Sequence, residues 1–166
     1  MRKTIPFFLL LSVITLFISC DSMKSEDPSS HLGKWNLTEY NSSWFPETTP
    51  VSDLDYSETY EFRANGTFTK SNSELDRTLN GTYVVTPADD EFKDRFYSDL
   101  TLTYDPADLE GLPTDVNGSV MLSNKEPSFW IIYGVNNTEV VFLRTDGTLT
   151  NAGYGWADGG EYVYRK

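Results

Sequence analysis

Histidine and cysteine are almost missing from this chain: His31 and Cys20 are the only ones among 166 residues. A lone cysteine excludes a disulfide within the chain, and the two together cannot supply the ligands of a zinc site. Nucleophilic catalysis through Ser or Cys normally calls on a histidine base, and His31 is expected to be a surface residue beside the first strand. Helical periodicity is missing too. Beyond the first twenty residues no stretch keeps it over three turns, and only 88–96 and 106–111 offer a single turn each. Basic residues are few, 13 against 25 acidic ones, and the net charge of −12 argues against nucleic acid or anionic head groups as partners. What remains to be expected is an all-β, non-enzymatic protein with no metal and no cofactor, whose charge favours cationic partners.

The first twenty residues are built differently from the rest. Arg2 and Lys3 precede an apolar run over 5–18 that is too short for a comfortable membrane span, and Ser19-Cys20 and a polar stretch follow. The junction Leu16-Phe17-Ile18-Ser19-Cys20 resembles a bacterial lipobox, in which the cysteine becomes the acylated first residue of the mature protein. The resemblance implies a signal peptide over 1–19, a lipidated tether over 20–30, and one domain over 31–166. It also implies palmitate-type chains on Cys20 and a place in the cell envelope. Asp21 resembles an inner-membrane retention signal and Glu26 and Asp27 resemble surface-export signals, and the outer membrane is the expectation. Each buried methylene contributes roughly 0.8 kcal/mol, so two or three such chains hold a domain at a bilayer without a transmembrane helix. Residues 21–30, rich in Ser, Asp, Glu and Lys with one Pro, have nothing to bury and read as a flexible leash.

The domain itself is a series of short alternating segments. Over 34–40, Trp35, Leu37 and Glu39 share one face, and 41–56 with its two prolines reads as a long loop. Residues 56–63 and 67–70 flank Ala64-Asn65-Gly66, the grammar of a hairpin. A strand over 79–86 follows, entered through Asn80-Gly81. Leu100, Leu102 and Tyr104 then give the plainest period of two in the chain, and 118–123 resumes it after the loop 105–115. Two nearly continuous apolar runs, 128–135 and 138–144, meet at Asn136-Asn137 and are expected to form a central hairpin. A short strand over 148–152, a glycine-rich loop over 153–160 and a final strand over 161–166 complete the chain.

Gly33-Lys34-Trp35, Tyr60-Glu61-Phe62 running into Asn65-Gly66-Thr67-Phe68, Asn80-Gly81-Thr82-Tyr83, and the terminal Tyr162-Val163-Tyr164-Arg165 together resemble the lipocalin-like, calycin-type domains of small bacterial lipoproteins. The resemblance covers nearly all of 31–166 and implies a single up-and-down antiparallel β-barrel of 8–10 strands. It further implies that Trp35 closes one end of the barrel under a basic side chain of the last strand, Arg165, with Arg144 as the rival. Such closure requires an even number of strands, and counting 148–152 gives about ten. The loops 41–55, 105–115 and 153–160 then fall at the end opposite Trp35, where Trp44, Phe45, Tyr154 and Trp156 would gather at the mouth.

Those four aromatics suit a rim, and the leading expectation is a non-enzymatic binding module that holds a small hydrophobic ligand or a partner protein at its open end; the alternative is a plug over a barrel filled by its own side chains. The filled form would be a structural, interaction or inhibitor protein. Asp105, Asp108, Glu110 and Asp115 depart from EF-hand spacing and read as a solvated loop. The Asn-x-Thr sequons at Asn65 and Asn80 read as turn chemistry.

Overall fold

A computed structural model describes residues 30–41, 48–114, 120–122, 129–132, 137–151 and 160–166, with only the backbone of 121–122 and 129–132. The strands are β1 (Gly33–Asn41), β2 (Thr48–Pro50), β3 (Glu58–Phe62), β4 (Thr67–Asn72), β5 (Thr78–Pro87), β6 (Phe96–Tyr104), β7 (Val120–Leu122), β8 (Phe129–Ile132), β9 (Thr138–Arg144), β10 (Leu149–Thr150) and β11 (Glu161–Arg165). A 3-10 turn over Val51–Asp53 and a one-turn helix, α1 (Pro106–Leu109), are the only helical pieces among the described residues.

Eight strands close into an antiparallel barrel in the order β1-β3-β4-β5-β6-β9-β10-β11, and β11 pairs back onto β1. The even count is what lets the last strand lie antiparallel to the first and leaves the ring without a free edge. β2 is an extra strand that pairs with the far half of β1, where Asn41 faces Thr48. The expected count of about ten included 118–123 and the run 128–135. In the structure these form a separate two-stranded sheet, β7 with β8. The expected hairpin of 128–135 with 138–144 is therefore replaced by β9 pairing with β6 and β10. The physical reason is visible at Asn137, which has a positive φ of 57° as its turn position requires. It latches onto the end of β6, since its Nδ2 donates to the Tyr104 carbonyl at 2.7 Å and its own carbonyl accepts from the Tyr104 N–H at 2.9 Å.

Alternation fixes which side chains fill the ring. Ser98, Leu100, Leu102 and Tyr104 point inward from β6, Tyr60 and Phe62 from β3, and Phe68 from β4. Trp35 and Leu37 point inward from β1, but a bulge between Leu37 and Glu39 shifts the phase, so Tyr40 and not Glu39 packs against the core. Gly81 stands between Phe68 and Tyr104 in one cross-strand row. Their rings meet edge to face at 4.9 Å over it. A Cβ there would lie 2.2 Å from the Thr103 carbonyl and 2.6 Å from Phe68, so only glycine lets three strands carry two large rings at that level.

Strand directions define two ends. The base holds the start of β1, the connections 63–66, 88–95 and 145–147, and the end of the chain. Of the described residues, the far end holds 48–57, 73–77, 105–114, Asn137, Asn151 and Gly160.

Candidate functional site

At the base, Trp35 is 1 % exposed, and its indole Nε1 donates to the His31 carbonyl at 2.8 Å. The cation above its ring is Lys166, with Nζ 5.1 Å from the ring centroid. Arg165, expected in that role, turns outward and pairs with Glu39 at 3.3 Å. The correction follows from the period of two. Tyr162 and Tyr164 face the interior, so residue 166 falls in their phase and residue 165 does not. Arg144, the rival, pairs with Glu161 at 2.9 Å.

His31 is part of the same closure. Tyr83 spends its hydroxyl proton on the Arg63 carbonyl at 2.7 Å, so the 3.1 Å contact with His31 Nε2 makes the imidazole the donor there. Burial, with the Lys166 charge nearby, holds the His31 pKa below its usual value and favours the neutral ring.

The interior holds a group of polar side chains not anticipated from sequence. Glu58 of β3, Lys70 of β4 and Glu139 of β9 are 1 %, 0 % and 2 % exposed. Lys70 Nζ lies 3.3 Å from Glu58 and 3.5 Å from Glu139, and 4.7 Å above the Tyr60 ring. Tyr164 donates to Glu58 Oε1 at 2.7 Å, and Asn72 donates to its Oε2 at 2.9 Å. Tyr60 and Tyr104 both donate to Glu139 Oε2, at 2.9 and 2.5 Å. Five strands thus converge on two carboxylates and one ammonium, and every buried oxygen of the two carboxylates has a donor.

Burial pushes the Glu58 pKa up, against the pull of Lys70, Asn72 and Tyr164 and with the help of the Glu139 charge. Burial, together with the two carboxylates, also raises the phenols of Tyr60, Tyr104 and Tyr164 well above their ordinary range, so they stay protonated donors. The cluster is almost wholly withdrawn from solvent. It acts as a polar rivet between opposite walls.

The signal for it was present in the alternation. Glu58 is in phase with Tyr60 and Phe62, Lys70 with Phe68, and Glu139 with Val141 and Leu143. A charge at an inward position is the mark of a buried pair.

Around the rivet the described side chains pack closely. Tyr60, Leu79, Leu100, Leu102 and Tyr164 have no exposed surface, so no water-sized void touches them. Nearer the far end, Thr150 and Asn151 are also buried. Thr150 Oγ1 and Asn151 Nδ2 lack a hydrogen-bond partner among the described residues.

Of the other residues singled out from sequence, Cys20, Trp44, Phe45, Tyr154 and Trp156 lie outside the described residues, as does Asp115. Asp105 caps α1 by accepting from the Ala107 N–H at 3.0 Å, and Asp108 accepts from the Asn80 backbone N–H at 2.7 Å. The Asp108 carboxylate therefore stitches the loop to β5, where the Asp105 backbone N–H also donates to the Asn80 carbonyl at 2.9 Å. Among the described residues no group of three His, Cys, Asp or Glu could hold a metal ion, and no helix is long and apolar enough to cross a membrane. Comparison with protein-family models, with curated proteins and with solved structures returned no match.

Proposed function

We propose that this protein is a lipid-anchored scaffold of the bacterial envelope: a lipocalin-like barrel, filled by its own side chains, that meets a partner protein through the connections at its far end. The observation that carries this reading is the packed interior, with Lys70, Glu58 and Glu139 locked across it at 3.3 and 3.5 Å. A hydrophobic ligand in that space would have to displace a fully hydrogen-bonded charged group, which is costly. The described far-end connections carry Asp53, Asp55, Glu74, Asp76, Asp105, Asp108 and Glu110 against Arg77 alone, which suits a partner with a basic face. The lipobox-like junction at Cys20 supports attachment to the outer membrane by acyl chains.

A second reading, a small hydrophobic ligand at the mouth, is favoured by the unpaired Thr150 Oγ1 and Asn151 Nδ2. It would need Trp44, Phe45, Tyr154 and Trp156 to hold the ligand.

Titration with a fluorescent fatty acid separates the two. The scaffold reading expects no saturable binding at micromolar protein. Stoichiometric binding that is lost on Trp156→Ala supports the ligand reading instead.

A further inference from the structure

We propose that the base of the barrel, the end closed by Trp35, rests against the bilayer surface through Leu32, Val85, Phe92 and Tyr97, so that the far end points away from the membrane. This rests on the acylation of Cys20 in the reading above.

Six large hydrophobic side chains are exposed among the described residues, and four of them belong to the base. Leu32 immediately precedes β1, and Phe92, 44 % exposed, lies in the connection 88–95. Tyr97 is the second residue of β6, and Val85 lies two residues from the end of β5. The remaining two, Val84 and Val140, lie on the outer wall. Among the described residues of this strongly acidic chain, these exposed apolar side chains gather at the base, and such a gathering marks a contact surface.

The anchor selects the occupant. Ser30, which stands at the base, lies ten residue steps beyond Cys20. A coil of that length spans about 17 Å, and full extension reaches about 35 Å. β5 is ten residues long. At about 3.3 Å per residue and a tilt near 40°, the barrel is about 25 Å tall. An acyl anchor on Cys20 therefore holds the base near the lipid, and bringing the far end down would stretch the tether well past its coil length.

Charge points the same way. At the base Arg63, Lys93, Arg95 and Lys166 stand among Asp89, Asp90, Glu91, Asp94 and Asp146, close to balance. The described charged residues of the far end are acidic but for Arg77, and an anionic bilayer repels them. Since the base is only near neutral, its contact is apolar in origin and should survive salt.

Hydrogen exchange on two samples tests this: the acylated chain in vesicles of phosphatidylethanolamine and phosphatidylglycerol, and the Cys20→Ser chain free in solution. Amides in 88–95 should exchange at least about fivefold more slowly on vesicles, with 105–112 unchanged. The slowing should persist at about 1 M salt, where the Debye length is about 3 Å. The double variant Leu32→Ser, Phe92→Ser alters only exposed side chains, and it should lose the slowing while the acylated chain stays on the vesicle. Unchanged exchange at 88–95, slowing at 105–112, or slowing that survives the double variant overturns the docked base. Intact mass keeps the two claims apart: a chain without acyl mass overturns the anchor and the docking together, whereas an acylated chain with an unprotected base overturns the docking alone.

Discussion

Lys70 places its ammonium 3.3 Å from the Glu58 carboxylate inside the barrel, with neither side chain exposed to solvent. The two come from neighbouring strands and are backed from the opposite wall by Glu139, so the barrel carries charge where a ligand-binding barrel carries empty space. Replacing a buried pair by apolar side chains is often neutral, but removing one member leaves charge stranded.

Lys70→Met is accordingly expected to destabilise the domain by about 3–5 kcal/mol, because it leaves Glu58 and Glu139 without their cation. The exposed pair Lys93–Asp90 serves as control, and Lys93→Ala should change stability by less than about 1 kcal/mol. Urea unfolding of the two variants checks the contrast. A small loss for Lys70→Met would mean that the interior admits water.

The raised pKa of Glu58 has a definite sign in stability. Folded Glu58 keeps its proton to higher pH than the unfolded chain, whose value is near 4.5, so folding takes up a proton above that pH. The resulting stabilisation is complete below the unfolded pKa and is lost as pH rises through the folded one. Urea midpoints measured from pH 4.5 upward should therefore fall, and fall less steeply for Glu58→Gln, which keeps a carbonyl acceptor but does not ionise. Self-repulsion of the net negative chain acts in both proteins, so the difference between them isolates Glu58. Parallel curves would show that Glu58 does not titrate there.

Gly81→Ala tests the closeness of β4, β5 and β6. A methyl at this site meets the Thr103 carbonyl and the Phe68 ring below contact distance, and overpacking of this kind costs about 1–3 kcal/mol or more. Thr86→Ala on the exposed face of the same strand should stay within about 0.5 kcal/mol. Thermal unfolding of both variants gives the comparison.

At the base, Lys166→Ala is expected to cost about 0.5–1 kcal/mol through loss of the cation over Trp35. Arg165→Ala removes only an exposed pair with Glu39 and should cost less. The reverse order in urea unfolding would return the closing role to Arg165.

That last pair shows what could be read from the sequence and what could not. The alternation of β11 already put Arg165 out of phase with Tyr162 and Tyr164, and the expectation failed where a family pattern was preferred to that phase. The same period identified the inward residues of β1 up to Leu37 and of β6 from Leu100 to Tyr104. It could not see the bulge after Leu37, which depends on pairing with β11. The apolar runs around Asn137 fix a strand but not its partner, because the choice between β8 and β6 is tertiary. The rivet was legible residue by residue, as charges in apolar phase. Its assembly from β3, β4, β6, β9 and β11 was not, since sequence does not say which inward residues share a level of the barrel.

Native mass spectrometry of the protein extracted from its own membranes tests the central claim, a barrel filled by its own side chains, most directly. The account predicts one mass, that of the chain with any covalent acyl groups, and no non-covalent adduct. A stoichiometric, releasable lipid-sized mass would contradict it and would require Lys70, Glu58 and Glu139 to part around a ligand.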